Sequence, residues 1–264
     1  MEISARTVSQ LRRMAKERDC LGEEFLQALA RDPRRAVQCL YQELRAQQER
    51  LALEKERVAR LFVWEKKLGS PDLIVAGIDE AGRGPLAGPV VAGAVILTPD
   101  LFIRGLNDSK RISSKARESI AREIRQKALA WSLGWASVKE IEELNIRQAS
   151  FLAMKRAVEG LAVVPEHLLV DGFFIPGLEI KQTKLVKGDC LSASIAAASI
   201  LAKEARDKYM IKLHQRFPCY GFARHKGYPT REHFQALAEY GPSPEHRCTF
   251  KGVKDLIRCK LLPE

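Results

Sequence analysis

The sequence predicts an α/β fold carried behind a helical N-terminal extension. Three observations predict it. Two apolar runs, residues 73–78 and 168–170, each end in a carboxylate, Asp79 and Asp171, with glycine close behind. Such runs read as buried strands that bring their acids to one edge of a sheet. Between and after them lie stretches with helical caps and small-residue faces. Ahead of them, the segment from Gln47 to Lys67 is dense in Lys, Arg, Glu and Gln around a thin apolar seam of Leu51, Val58, Leu61 and Phe62.

Taken in order, Thr7 to Gln10 has the form of a capping box, with Val8, Leu11 and Met14 at helical spacing behind it. Phe25, Leu26 and Leu29 mark a second helix. Asp32 is expected to cap a third, with Pro33 at its first position and Val37, Leu40, Tyr41 and Leu44 along its apolar stripe. Gly69, Ser70 and Pro71 stop this part, so the expected organisation is an accessory helical extension over 1–70 and a second domain over 71–264. There, the run 73–78 and a second run from Val90 predict paired strands joined by a polar turn. Residues 114–127 read as a helix. Residues 130–137 read as a strand with Trp131 and Trp135 on one side, as core residues. Ser137 to Glu140 reads as another capping box, and 145–161 as helix. The alanines and serines of 193–202 suit a helix pressed against a sheet. Asp189 stands where it would cap that helix, and Asp207, next to Arg206, reads as an ion-pair residue. Thr230 is expected to cap a later helix, and residues 252–260 to form a short one.

Composition narrows the class. A chain of 264 residues with 46% hydrophobic residues can bury a good core. Its net charge of +11 fits a polyanionic partner, and the basic excess is spread over both parts. Six scattered cysteines without a C-x-x-C pair read as reduced thiols. Five histidines without H-x-x-x-H spacing argue against a zinc enzyme. No apolar run reaches membrane-spanning length, and a soluble, cytoplasmic monomer is expected.

The chemistry sits in the string DEAGRGPLAGPVVAG at 79–93. A carboxylate at the end of a buried strand needs compensation, by a cation or by hydrogen bonds. Gly82 and Gly84 allow close approach of the backbone to a bulky anion, and Arg83 between them offers a fork of donors. Asp79, Glu80, Asp171 and Asp189 supply only hard oxygen donors, which favour magnesium or manganese. Converging acids would otherwise repel one another, and two metals about 4 Å apart suit in-line attack on a phosphodiester. The loop at 220–233 interleaves basic residues with aromatics, as a segment touching a nucleic-acid backbone would.

These residues resemble bacterial ribonuclease HII. The 79–93 string is similar to that family's first signature, GLNDSK at 105–110 to its second, KGDCLSASIAAASI at 187–200 to its third, and GPSPEHR at 241–247 to its last. The resemblance runs from about Leu73 to Phe250. It implies a ribonuclease H-like mixed five-stranded sheet flanked by helices. The implied partners are RNA/DNA hybrids and duplex DNA containing single ribonucleotides, cut on the 5′ side of the ribonucleotide to leave a 3′-hydroxyl and a 5′-phosphate. It also implies Mn2+ or Mg2+, two per site, on Asp79, Glu80, Asp171 and Asp189. Gly82, Arg83, Gly84 and Tyr228 would read the ribonucleotide junction, and Lys110 would contact phosphate. Two other readings stand beside it. The sister family ribonuclease HIII usually has another glycine turn and a strand-rich start, and a silent hybrid-binding module would have lost an acid.

Overall fold

The computed structural model describes residues 3–17, 22–68 and 73–261, so the Gly69–Pro71 stop lies outside the described residues. The chain falls into two compact units, residues 1–57 and 58–264. In the first, α1 (Val8–Glu17), α2 (Glu23–Arg31) and most of α3 (Arg35–Leu61) enclose Leu11, Phe25, Leu26, Leu29, Val37 and Leu40. The capping box of α1 forms, with the Thr7 amide donating to Gln10 Oε1 at 2.8 Å and the Gln10 amide to Thr7 Oγ1 at 3.3 Å. Asp32, expected to cap α3, instead ends α2. Its carboxylate takes the Arg34 amide and guanidinium, at 2.6–3.0 Å, so α3 begins only at Arg35.

The second unit is built on a five-stranded sheet of order β3-β2-β1-β4-β5, with β1 Val75–Ala81, β2 Val90–Ile96, β3 Ala130–Ala136, β4 His167–Asp171 and β5 Lys181–Leu185. Strands β1, β2 and β3 pair antiparallel, whereas β4 and β5 extend the sheet in parallel. This is the mixed sheet expected. Alternation divides its side chains. Ala76, Ile78, Leu168 and Val170 pack with Phe151 and Met154 of α6 (Val138–Glu159) on one face. On the other, Val95 packs with α5 (Ser114–Lys127) and α7 (Ala193–Arg216), and Val75 and Leu169 pack with Ile195 of α7.

The small residues of α7 let it lie on the sheet. A Cβ at Gly77 would meet the Ser194 and Ile195 backbone, and one at Gly93 the Ala198 carbonyl. Ahead of the strands, α4 (Val63–Leu68) sends Glu65 to the head of α7. There its buried carboxylate accepts from Ser192 Oγ at 2.6 Å and the Ser194 amide at 2.9 Å, beside the positive end of the helix.

The Ser137–Glu140 capping box starts α6. Asn145, at φ 69°, breaks the helix, and its Oδ1 recaps the following turn by accepting from the Arg147 and Gln148 amides. Trp131 and Trp135 share a face of β3, as expected, but they are not core. On an edge strand Trp131 stays 37% exposed beneath the Arg125 guanidinium, and Trp135 is half-buried against Tyr209. Asp207 pairs with Arg117 and Lys203, as the ion-pair reading anticipated. Thr230 caps α9 (Arg231–Tyr240) through the His233 amide. α8 (Phe222–His225) precedes it and α10 (Lys251–Leu261) follows.

Candidate active site

Asp79 and Asp171 reach the same place for a topological reason. β1 and β4 are parallel neighbours with Ile78 opposite Val170, so each acid lies one residue further along its strand, on the α7 side of the sheet. Asp79 is 6% exposed. Its Oδ1 accepts from the Glu80 amide at 2.7 Å, and the Ser199 hydroxyl of α7 also reaches it. Asp171 Oδ1 accepts from the Gly188 amide at 2.7 Å, which ties β4 to the 188–190 turn carrying Asp189. Asp189 is buried in that turn but does not cap α7. Ser192 does, accepting from the Ile195 amide at 3.2 Å, and the Asp189 carboxylate lies in the field of Asp108, Asp171 and Lys110.

Asp171 acts on each of the other three acids. Burial, then Glu80 and Asp171, push the Asp79 carboxyl well above the usual range. Burial also raises Glu80 against the pull of Arg83, and Asp189 is raised by burial, Asp108 and Asp171 against the pull of Lys110. Lys110 feels the reverse field. Burial would lower its ammonium, but Asp108, Asp189, Asp79 and Asp171 together raise it. Asp108 is thus a fifth acid at the cluster's edge, which the sequence presents only as a turn former. Its side chain also accepts from the Lys110 amide at 2.9 Å.

Among the described residues no three His, Cys, Asp or Glu side chains form a ready-made metal cage. The donor set nevertheless fits a hard divalent cation. It is all oxygen and mutually repelling, and magnesium keeps several waters and takes only one or two carboxylates besides substrate phosphate.

The glycine turn flanks the acids. Gly82, at φ 98°, leaves no room for a Cβ, because the Arg206 side chain lies against it. At Gly84 a Cβ would meet only Tyr228 Cε1, at 3.9 Å, so the turn and Tyr228 are neighbours. Arg83 lies between Glu80 Oε1, at 3.1 Å, and the Phe173 ring, at 5.1 Å. Tyr228 is 39% exposed.

Beneath the turn lies a scaffold that the sequence does not announce. Arg206 and Arg247 are fully buried. Arg206 donates to the carbonyls of Ala87, Pro89 and Lys226, and Arg247 to those of Gly82, Arg83 and Gly88, at 2.6–3.1 Å. Beside them three histidines gather, His225 stacked on His233 and His246 tilted against it, and backbone donors fix their tautomers. The Ser243 amide donates to His246 Nδ1 at 2.9 Å, so His246 carries its proton on Nε2 and donates it to His233 Nε2 at 3.0 Å. His233 must then be protonated on Nδ1, which donates to the Tyr228 carbonyl at 3.0 Å. His225 accepts from the Gly227 amide and donates to the Tyr220 carbonyl. Every ring nitrogen of the three is engaged, which leaves none for zinc. Burial holds His233 at about 4 and His246 at about 3, so all three are neutral at pH 7.

Comparison with known proteins agrees with this geometry. A family model described as ribonuclease HII matches residues 76–253, and one described as ribonuclease HII N-terminal domain matches residues 7–69. The ribonuclease HII of Pelotomaculum thermopropionicum is 50% identical over 256 residues, covering 96% of each chain. That of Moorella thermoacetica is 57% identical over 199 residues, 75% of this chain and 97% of that one. Among solved structures, the ribonuclease H2 of Pyrococcus horikoshii aligns with a TM-score of 0.62 at 24% identity, over 72% of this chain and 100% of that one, which shows the shared fold. With matches of this extent over a sheet that gathers its acids at one end, the chain belongs to the ribonuclease HII family and is a ribonuclease H endonuclease.

Proposed function

We propose that the protein hydrolyses the RNA strand of RNA/DNA hybrids and also cuts on the 5′ side of a single ribonucleotide within duplex DNA, leaving a 3′-hydroxyl and a 5′-phosphate. One observation carries this reading: Asp79 and Asp171 stand at the ends of paired parallel strands, Asp189 and Glu80 close the cluster, and the Gly82–Gly84 turn and Tyr228 adjoin it. When bound by these four acids, two Mg2+ or Mn2+ ions supply the positive charge that in-line attack of water on a phosphodiester needs. The chain's own groups do the rest. Ser199 and the Glu80 amide hold the Asp79 carboxylate in place. Gly84 leaves open space where a sugar can approach the backbone, and the exposed Tyr228 ring offers a face to that sugar and a hydroxyl to its 2′-oxygen. Arg83 can turn from Glu80 to a phosphate, and Lys110 stands at the rim.

The test uses two substrates, a duplex with one ribonucleotide and a long hybrid. Asp171→Asn should abolish cutting of both and leave hybrid binding largely intact. Tyr228→Ala should depress cutting at the lone ribonucleotide far more than within the hybrid, where neighbouring 2′-hydroxyls offer other registers. Near-normal turnover by Asp171→Asn would sink the metal assignment, and equal losses in Tyr228→Ala would deny Tyr228 its reading role.

A further inference from the structure

A stretch of chain ahead of the sheet reaches the acids by a short route. Val58, Leu61 and Phe62, at and just after the end of α3, pack with Ala193, Ala196 and Ile200 of α7. Trp64 and Leu68 of α4 pack with Val75, Leu169, Leu185 and Ile195. The chain from Val58 onwards thus belongs to the second unit, although the sequence puts its boundary near residue 70. One carboxylate stands within this apolar contact. Glu65 is 3% exposed, and it accepts from Ser192 Oγ and from the Ser194 amide. A carboxylate so buried loses its hydration, and an apolar side chain of similar volume would fill the place at less cost.

The groups that Glu65 holds give a reason for it. The Ser192 hydroxyl donates to Glu65 and accepts from the Ile195 amide, while the Ser192 amide donates to the Gly188 carbonyl at 2.8 Å. The Gly188 amide in turn donates to Asp171 Oδ1 at 2.7 Å, and Gly188 opens the turn that carries Asp189. Ser192 and Gly188 therefore link Glu65 to two of the four acids. The turn has no slack. A Cβ on Gly188 would lie 2.6 Å from Ile195 Cδ1 and 3.2 Å from Leu185 Cβ, and Lys187 before it stands at φ 58°. We infer that Glu65 is a positioning residue of the metal site, which fixes the Ser192 hydroxyl and through it the Gly188–Cys190 turn and the carboxylates of Asp171 and Asp189. This rests on the reading of the four acids given above. The competing account is that Glu65 only stabilises the head of α7, as an acid at a helix N-terminus does.

The experiment measures Mn2+ binding to the full chain without substrate, from the electron paramagnetic resonance signal of the free ion, beside thermal melts. Glu65→Met keeps the volume and removes both acceptors. Its Mn2+ affinity should fall about tenfold, the low end of the loss expected when a group behind a metal ligand is removed, and cutting should need correspondingly more Mn2+ to reach half its maximum. Glu65→Gln still offers an oxygen to Ser192 and Ser194, and it should keep most of the affinity. Ser192→Ala should weaken Mn2+ by itself and add little to Glu65→Met, because both changes cut the same relay. A helix-capping role alone predicts a lower melting temperature with parental Mn2+ affinity, and that result in Glu65→Met overturns the inference. Equal losses in Glu65→Gln and Glu65→Met would overturn it too, by making the charge responsible and not the bonds. If Glu65→Met does not fold, Ser192→Ala decides, and parental Mn2+ affinity in that variant counts against the relay. The acid assignment is checked apart: Asp171→Asn with parental Mn2+ affinity would sink it, whatever the Glu65 variants do.

Discussion

Two buried polar clusters lie side by side in the second unit, and they follow opposite rules. In the acid cluster like charges face one another. Asp79 is buried against Glu80 and Asp171, with a serine and a peptide amide as its compensation. In the arginine–histidine cluster each guanidinium meets carbonyls and each imidazole nitrogen has a defined donor or acceptor. The first is held under tension that an added cation relieves. The second is complete as it stands, and it holds the carbonyls of the turn and of Tyr228. Unsatisfied polarity marks where something binds, and satisfied polarity marks what holds it there.

The largest expected effect breaks the acid side. Asp79→Asn should lower single-turnover cleavage by at least about a thousandfold, the scale set by losing several kcal/mol of transition-state stabilisation. At pH 7 the same change should leave thermal stability unchanged or raised, since it removes a buried charge from between two others. A marked fall in melting temperature would mean that the carboxylate is structural.

The scaffold should respond in the reverse sense. Arg247→Met strips the carbonyls of Gly82, Arg83 and Gly88 of a buried donor, at about 1–3 kcal/mol for each one left unpaired. Denaturant unfolding should register a loss of about 3 kcal/mol or more, with the metal dependence of the residual activity unaltered. A variant as stable as the parent would show that water replaces the guanidinium.

The smallest effect sharpens the contrast through pH. His233 and His246 sit at about 4 and about 3, below the ordinary 6.5. Above pH 6.5 folded and unfolded chains both hold them neutral, and they add no pH dependence. Below it only the unfolded chain takes up protons, so stability falls with pH at up to about 2.7 kcal/mol per unit for two protons, until the folded values are reached. Asp79, raised in the fold, works the other way, because the folded chain takes up its proton first as pH falls. Asp79→Asn should therefore steepen the acid loss of stability, and His246→Gln should flatten it. Urea melts from pH 7 to 4 would decide, and parallel curves for all three proteins would refute the contrast.

The acid cluster was largely legible in the chain and the scaffold was not. Apolar runs that end in Asp79 and Asp171 announce strands, and strand parity alone puts both acids on one side. The 181–185 strand, KQTKL, escaped because an edge strand with exposed lysines has no apolar alternation to betray it. Asp32 and Asp189 both have the side chain of a cap, but a helix start is set by competing bonds, here those of Asp32 to Arg34 and the Ser192 hydroxyl at the head of α7, and Asp189 keeps only its other expected place, in the field of the acids. The histidines at 225, 233 and 246 show no ligand spacing, and only the folded chain brings them together. Arg206 and Arg247 look like any basic residues until their partners prove to be carbonyls from a distant turn.

The contact between α7 and the sheet carries one more consequence. With bare glycine at 77 and 93, helix and strands meet backbone to backbone, and Ser199 rides on that helix while Asp79 rides on the strand. The gap between the layers is therefore a calibration. A single methyl group at Gly77, carrying no charge, would wedge the layers apart and shift Ser199 on the helix away from Asp79 on the strand. A search for inactive variants should accordingly find hits in this silent apolar stretch, in proteins that still fold and still bind metal, whose fault is mechanical and not chemical.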